Sequence, residues 1–211
     1  MSFTSANRLL VFAKAPVPGR AKTRLIPALG AEGAAALQAR LLWHTLATAG
    51  QGGAIVELWC HPDPDHPLFS ECAEHAEMLL CTQRGNNLGE RMQNAFAAAL
   101  DEGPAVLIGT DCPALEPRDL VEAFGALRDS DAVLGPALDG GYYLLGLRRL
   151  HPSLFDDIRW GSAHVLDETR QRLKQLGWKW RELAVKSDID RPEDLVHLPA
   201  TLRINKEVSA V

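Results

Sequence analysis

The sequence predicts a single α/β domain, built as a three-layer α/β/α sandwich around a mixed, mostly parallel sheet. Three observations support this fold class: short apolar runs alternate with amphipathic segments, several of the runs are continuously apolar, and one pair of runs is joined by only four residues. Strands that alternate with helices favour a parallel sheet covered on both faces. The four-residue junction is too short for a helical crossover, so we expect the two strands beside it to be antiparallel or to diverge.

Seven apolar runs are the strand candidates, and they cover residues 8–13, 54–60, 78–82, 105–110, 131–137, 142–147 and 180–185. The short junction lies between the fifth and sixth runs. Three segments have the period of an amphipathic helix, namely residues 88–100, 116–130 and 162–177. Pro117 suits the first position of its helix, and Gly177 suits the cap at the end of the last one. Another helix is expected to begin near Ala31.

Length and composition describe one ordinary globular domain. The chain has 211 residues, of which 46% are hydrophobic and 23% are charged. We expect a single domain over residues 1–211, with a core from about residue 8 to 199 and a peripheral tail over 200–211. The four cysteines are scattered, which indicates reduced thiols in the cytoplasm instead of disulfides or a zinc site.

The charge balance excludes several classes of partner. A formal net charge of -5 argues against nucleic acid and anionic membranes, which need a broad basic surface. No apolar run approaches the roughly 20 residues that span a bilayer. The opening segment is rich in Arg and Ser and has no acid before Glu32, which is also typical of a transit peptide. The apolar run at 8–13, followed by Pro16, Pro18 and Gly19, favours a buried strand and a loop instead.

The loop after the first strand is strongly basic. The stretch KAPVPGRAKTRL holds Lys14, Arg20, Lys22 and Arg24 and no acid. These cations lie where a strand ends and a helix begins, which is a natural place to bind anions. We therefore expect a bound polyphosphate, although a solvated loop making surface ion pairs is the alternative. The sequence contains neither a P-loop motif nor G-x-G-x-x-G.

Two later strand-end loops supply carboxylates. Asp111 follows the strand candidate 105–110, where a carboxylate can hold Mg²⁺ or Mn²⁺ or can simply cap a turn. In KSDIDRPEDL, Asp188 and Asp190 flank Ile189, and we expect only one of the two to reach a given metal. Asp190 and Glu193 also have the spacing of a capping box, a role compatible with metal binding. If Asp111 and Asp190 converge, a divalent cation is the simplest reason.

The junction between the fifth and sixth strands reads LDGGYY. Two glycines after Asp139 allow a ligand to approach the backbone closely, and the tyrosines can stack or form hydrogen bonds. A tight hairpin is the alternative, because Asp-Gly is a hairpin signal. The seven histidines have no metal-ligand spacing, and no G-x-S-x-G motif indicates a serine hydrolase.

Six motifs in order resemble those of a known family. The motifs that carry the resemblance are FAKAPVPGRAKTRL, LGERMQNAF, GTDCPAL, GPALDGGYYLLGL, RWGSAHVLDET and DIDRPEDL. The chain resembles the bacterial glycosyltransferase-like proteins first catalogued as a domain of unknown function and linked to arsenosugar biosynthesis. That family belongs to the nucleotide-diphospho-sugar transferases, which have the GT-A fold. The chain also resembles the phospholactate guanylyltransferases, but it has Tyr142 and Tyr143 where they usually have Thr-Asn after DGG. It lacks the glycine-rich opening loop of the classical sugar nucleotidyltransferases.

The resemblance implies a metal-dependent transferase with a nucleotide-activated donor and a small-molecule acceptor. Glycosyl transfer from a nucleotide sugar is favoured, with nucleotidyl transfer to a phosphorylated small molecule and a non-catalytic nucleotide-binding module as alternatives. Asp111 and Asp190 would be the metal ligands and catalytic residues, with Mg²⁺ or Mn²⁺ as cofactor. The implied nucleotide-binding residues are Lys14, Arg20, Lys22, Arg24, Gly89 and Arg91. The implied acceptor- or sugar-binding residues are Asp139, Gly140, Gly141 and Tyr142.

Overall fold

The predicted α/β sandwich is confirmed by a computed structural model, which describes residues 6–76 and 78–203. Its strands are β1 (Arg8–Lys14), β2 (Ile55–His61), β3 (Leu79–Thr82), β4 (Ala105–Gly109), β5 (Ala132–Pro136), β6 (Tyr142–Leu147) and β7 (Trp180–Glu182). Six of them match the predicted runs to within one residue at each end. The seventh is shorter, because its regular pairing with β5 ends at Glu182.

The strands form one sheet in the order β3-β2-β1-β4-β6-β5-β7. Strand β6 is antiparallel to β4 and to β5, and all other neighbouring strands are parallel. The expectation that the two strands beside the four-residue junction are antiparallel or diverge is therefore confirmed. The carboxyl ends of the six parallel strands and the amino end of β6 lie at the same edge of the sheet. Loops at that edge meet even when they are distant in sequence.

Five α-helices of the described chain cover the sheet: α1 (Ile26–Ala49), α2 (Pro67–Ala76), α3 (Leu88–Ala99), α4 (Pro117–Ala126) and α5 (Val165–Gln175). Helix α1 begins five residues before the predicted start near Ala31. Its first turn is separated from the rest by a kink at Gly30, whose φ of 73° is not helical, so the regular helix does begin at about the predicted place.

The core lies in two layers, one on each face of the sheet, because successive residues of a buried strand point to opposite sides. On β1, Leu9 and Val11 contact the layer under α1, α2 and α4, while Leu10 and Phe12 contact the layer under α3 and α5. Leu9, Leu10 and Val11 are fully buried. The continuous apolar run in the sequence thus reflects burial on both faces.

A third apolar cluster anchors the C-terminal segment on α1. It joins Leu37 and Leu41 of α1 to Ile189, Leu198 and Leu202. Leu202 is buried, and Arg40 donates a hydrogen bond to the carbonyl of Arg203. Residues 200–203 are therefore packed against the domain, in contrast to the peripheral tail predicted over 200–211, of which 204–211 lie outside the described residues. This cluster also holds the segment around Ile189 at the carboxyl edge of the sheet.

A glycine in β5 accommodates the aromatic ring of its neighbour in β6. A Cβ atom at Gly135 would lie 2.6 Å from Cζ of Tyr143, whereas a Cβ at Gly109 in β4 would meet no atom within 4 Å. We expect Gly135→Ala to lower the free energy of unfolding by about 2 kcal/mol through overpacking. Gly109→Ala should change it by less than about 0.5 kcal/mol. Urea denaturation of both variants measures the difference, and equal losses would contradict this account of the packing.

Candidate functional site

The carboxyl edge of the sheet opens into a cleft of about 580 Å³. It contains ten of the twelve residues that the sequence predicts for the site. These are Lys14, Arg20, Lys22, Arg24, Arg91, Asp111, Asp139, Gly141, Tyr142 and Asp190. The two others, Gly89 and Gly140, are not part of the lining. The fold thus brings the basic loop, the carboxylates and the DGG turn to one cavity, because each follows or precedes a strand at the same edge.

Lys22 connects three segments at the floor of this cleft. Its ammonium group lies 2.8 Å from Oδ1 of Asp111 and donates a hydrogen bond to the carbonyl of Ile189. The Ile189 N–H in turn donates to the backbone carbonyl of Asp111 at 2.7 Å. The Lys22 side chain is only 3% exposed. The basic loop, the end of β4 and the C-terminal segment are therefore held together by one buried cation.

Asp188 is the carboxylate that lies beside Asp111. Its Oδ1 atom is buried and has no hydrogen-bond partner among the described residues. Burial, followed by the negative charges of Asp111 and Asp139, raises the pKa of Asp188 to about 7. A nearby cation would favour its charged form. The sequence analysis weighed Asp188 but did not select it, so the structure adds it to the candidate site.

Asp190 faces the same cleft but has a different partner. Side chains two residues apart in an extended chain point to the same side, so Asp188 and Asp190 both line the cavity while Ile189 between them is buried. The Asp190 carboxylate forms an ion pair with Arg24. The predicted cap at Asp190 is replaced by Asp194, whose Oδ2 accepts from the N–H groups of Asp190 and Arg191.

The segment that carries these carboxylates is also fixed from its amino-terminal side. Lys186 donates to the carbonyl of Ala114 at 2.7 Å and lies 2.9 Å from Oδ2 of Asp119 at the start of α4. Leu183 and Lys186 donate backbone hydrogen bonds to Leu134 and Pro136 along β5. These contacts hold residues 183–190 beside the sheet after β7 has ended. The geometry of the two carboxylates is thus fixed by the tertiary structure on both sides.

The four cations of the basic loop fall into two pairs with different environments. Lys22 and Arg24 form ion pairs with Asp111 and Asp190. Lys14 and Arg20 are exposed, and their side chains form no ion pair or hydrogen bond with the described residues. The second pair is therefore available to a bound anion. Arg91 lies across the cleft from this pair, and its Nε donates a hydrogen bond to the carbonyl of Gly85 at 3.1 Å.

The DGG turn is both a tight connection and a close approach of two backbones. Gly140 has a φ of 87°, and a Cβ there would lie 2.2 Å from the carbonyl oxygen of Ala163. Asp139 accepts a hydrogen bond from Gly141 N–H through Oδ1, and its Oδ2 accepts none from the residues described. Tyr142 is half-buried and lines the cleft, whereas the Tyr143 hydroxyl donates to the carbonyl of Ala184 at 3.1 Å. Gly140 therefore has a packing role, and the Asp139 carboxylate faces the cavity.

Gly89 also has a packing role. A Cβ at this position would lie 2.4 Å from Nε1 of Trp160, so the absence of a side chain in α3 lets the indole lie against the helix. Trp160 then forms part of the cleft wall. The sequence analysis quoted the motif that contains Trp160 but assigned the residue no role. Because the indole has a broad apolar face, it is suited to a planar or sugar ring.

His61 was also missed, because the histidines were judged only by their spacing. It ends β2, and its ring lines the cleft. Burial, together with the positive charges of Arg91 and Lys14, lowers its pKa. The ring is therefore favoured in its neutral form, which can both donate and accept a hydrogen bond. The position alone, at the carboxyl end of the second strand, was a signal that could have identified it.

The carboxylates fit a divalent cation that is completed by a ligand. Among residues 6–76 and 78–203, no group of three or more His, Cys, Asp or Glu side chains is arranged to hold a metal ion. Mg²⁺, however, is usually bound by one or two carboxylates together with phosphate oxygens and water. Asp111 and Asp188 provide such a pair, with the Oδ1 atom of Asp188 buried and unpartnered. The donor set is thus suited to a metal that arrives with a phosphorylated ligand.

Comparisons with known proteins identify a family and similar structures. A family model described as "Uncharacterized protein conserved in bacteria (DUF2064)" matches residues 45–162, more than half of the chain. A crystal structure from Desulfovibrio desulfuricans G20, provisionally assigned as a nucleotide-diphospho-sugar transferase, is 33% identical. The alignment covers 98% of this chain and 90% of that one, with a TM-score of 0.85. The search of curated proteins gave no match.

More distant structures share the fold. A cytidylyltransferase from Leptospira borgpetersenii is 15% identical, with a TM-score of 0.60 and coverage of 97% of this chain and 90% of that one. The manganese complex of Rv0371c from Mycobacterium tuberculosis is 19% identical, with a TM-score of 0.53 and coverage of 92% and 97%. Within the part of the chain that the structure describes, no helix is both long and apolar enough to cross a membrane.

The different environments of Lys22 and Lys14 predict different effects on stability. We expect Lys22→Met to lower the free energy of unfolding by about 2 kcal/mol, because it leaves the carboxylates of Asp111 and Asp188 without their buried cation. Lys14→Met, the matched change at an exposed position, should alter stability by less than about 0.5 kcal/mol. Urea denaturation near pH 7.5 measures both. Similar small effects in the two variants would show that Lys22 is not a structural cation.

Proposed function

This chain belongs to the DUF2064 family of bacterial proteins, and from that premise we propose that it is a metal-dependent transferase using a nucleotide-activated donor. The observation that carries the proposal is the pairing of Asp111 with Asp188 in a cleft that also contains the unpaired cations Lys14 and Arg20. Two carboxylates favour a divalent cation, and free cations favour phosphate groups. A nucleoside diphosphate bound with its metal satisfies both requirements.

Different residues of the cleft would have different roles in the transfer reaction. Lys14, Arg20 and Arg91 would bind and orient the phosphates, and Lys22 would keep Asp111 in place through its ion pair. A divalent cation held by Asp111 and Asp188 would stabilise negative charge on the leaving diphosphate. The surrounding fixed charges act without reorganising during the reaction, which is the usual source of electrostatic catalysis.

We propose glycosyl transfer from a nucleotide sugar as the specific reaction, in the cytoplasm. Tyr142 and Trp160 present aromatic surface to the cleft beyond the carboxylates, and such surface suits the face of a sugar ring. The 33% identical bacterial structure, provisionally assigned as a nucleotide-diphospho-sugar transferase, supports the same class. Nucleotidyl transfer, the activity in the name of the more distant cytidylyltransferase, is the second candidate.

The two reactions release different products. We expect the protein with Mg²⁺ or Mn²⁺, and without an acceptor, to hydrolyse at least one of UDP-, GDP-, CDP- and ADP-glucose slowly to the nucleoside diphosphate. Asp111→Asn and Asp188→Asn should lower that rate at least about tenfold, since each removes a charged ligand worth roughly 1.5–3 kcal/mol. Chromatography of the nucleotides and a pyrophosphate assay with the corresponding triphosphates measure the products.

Asp129→Asn is the matched control for this test, because Asp129 is exposed and lies outside the cleft. Asp190→Asn tests the sequence-based assignment of Asp190 as a ligand, and its effect should be smaller because Arg24 already neutralises that carboxylate. Pyrophosphate release from a triphosphate, with no nucleotide sugar bound or cleaved, would replace glycosyl by nucleotidyl transfer. If the wild-type protein binds nucleotide independently of metal, both the glycosyl-transfer and the nucleotidyl-transfer proposals are contradicted.

The unpaired cations predict a salt-dependent affinity. We expect the double variant Lys14→Ala/Arg20→Ala to bind nucleoside diphosphates at least about tenfold more weakly at low salt and to lose part of the salt dependence. Stability should be almost unchanged, because neither side chain has a partner in the described structure. Calorimetric titration at two ionic strengths measures this. Arg118→Ala/Arg128→Ala, a pair of exposed cations away from the cleft, is the control, and equal affinities in both double variants would exclude the phosphate-binding role.

A further inference from the structure

A second, smaller cavity adjoins the cleft on the far side of its carboxylates. This side cavity has a volume of about 150 Å³, and its wall is shared with the cleft at Arg24, Asp139, Gly161, Ser162, Asp188 and Asp190. Its own lining includes Leu138, Ser187 and Arg191. The three shared aspartates therefore stand between a large basic compartment and a small one. A molecule in the side cavity would face the same carboxylates as the phosphates of a nucleotide in the cleft.

The two compartments differ in their charge. Five Lys and Arg side chains and four Asp side chains line the cleft. The side cavity has four Asp side chains and only two Arg side chains, one of which, Arg24, is already paired with Asp190. Placing a phosphate group there would bring it near several carboxylates, and like charges in a partly buried site repel each other. The side cavity is thus unfavourable to the kind of ligand that suits the cleft.

The polar atoms that remain available in the side cavity are mainly hydrogen-bond acceptors. Oδ2 of Asp139 accepts no hydrogen bond from the described residues. Ser162 accepts one from the N–H of His164, and the Ser187 hydroxyl makes only a 3.5 Å contact with the Asp188 carbonyl. Groups of this kind match a ligand that carries several O–H donors. The volume of about 150 Å³ is many times the roughly 10–15 Å³ that one water requires, so the side cavity has room for a small organic molecule.

We propose that the side cavity is the acceptor subsite, and that the acceptor is a small, uncharged, hydroxyl-rich molecule such as a polyol or monosaccharide. The inference rests on the proposed glycosyl transfer. An acceptor hydroxyl oxygen would form a bond to the anomeric carbon of the donor, while the bond from that carbon to the diphosphate oxygen breaks and its electron pair leaves with the diphosphate. The hydroxyl proton would pass to Oδ2 of Asp139, which lies on the wall between the two cavities.

Matched pairs of probes test the charge preference. The protein is saturated with Mg²⁺ and with UDP, GDP, CDP or ADP in turn, and binding of each probe is measured by saturation-transfer NMR. The probes are glycerol against glycerol 3-phosphate and D-glucose against D-glucose 6-phosphate. We expect glycerol or glucose to bind at least about tenfold more tightly than its phosphorylated counterpart. Equal or tighter binding of the phosphorylated probes, or no binding of either neutral probe, would overturn the proposal.

A blocking variant tests the location. Ser187 lines the side cavity but not the cleft, so Ser187→Phe should fill the side cavity, abolish binding of the neutral probes and leave nucleotide affinity within about twofold. Ser70→Phe is the matched control, because Ser70 is exposed on α2 and lies outside both cavities. If Ser187→Phe does not fold, Leu138→Trp at the exposed mouth of the side cavity serves the same purpose.

The outcomes separate this inference from the proposed function. Wild-type protein that binds no nucleotide with Mg²⁺ would refute the proposed function itself. The acceptor subsite alone would be refuted if nucleotide binding is normal and the neutral probes bind equally well to the wild type and to the blocked variants. Loss of neutral-probe binding in Ser187→Phe or Leu138→Trp, with nucleotide affinity retained, supports it.

Discussion

The candidate site depends on the position of one buried ammonium group. Lys22 contacts the side chain of Asp111 and the backbone of Ile189, and Ile189 donates back to the Asp111 carbonyl. Without that cation, Asp111 and Asp188 would lie close together with their charges opposed only by solvent. The cost of such an arrangement is large in a partly buried site, so the matched charges stabilise the contact between the three segments.

This arrangement explains why an acidic protein has a basic opening loop. The loop serves two purposes that its composition alone does not separate. Lys22 and Arg24 neutralise carboxylates of the protein, while Lys14 and Arg20 remain available to a ligand. The cleft is consequently held in shape before any ligand enters. A ligand therefore binds without the entropic cost of ordering Lys22 and Arg24.

The topology of the sheet determines which residues share the site. Because β6 is the one strand that is antiparallel to its neighbours among those described, its first residues, Tyr142 and Tyr143, reach the same edge as the ends of the parallel strands. The turn before it carries Asp139 to the boundary between the cleft and the side cavity. The C-terminal segment reaches this edge through its apolar contacts with α1, in which Ile189 is buried between two carboxylates that line the cleft. Packing of apolar residues thus positions the charged ones.

The sequence by itself determined the order and approximate limits of the strands, because burial on both faces demands continuous apolar runs that are recognisable without a structure. It also indicated the loops that line the cleft, since Asp111, the basic loop and the DGG turn each adjoin a strand end. Only the tertiary structure decided how the members of each motif differ. Asp188 lies beside Asp111 while Asp190 pairs with Arg24, and Lys22 is buried while Lys14 has no ion-pair partner among the described residues. Gly89 and Gly140 accommodate neighbouring atoms. These distinctions arise from contacts between residues far apart in the chain, such as Lys22 with Ile189, which local sequence patterns do not encode.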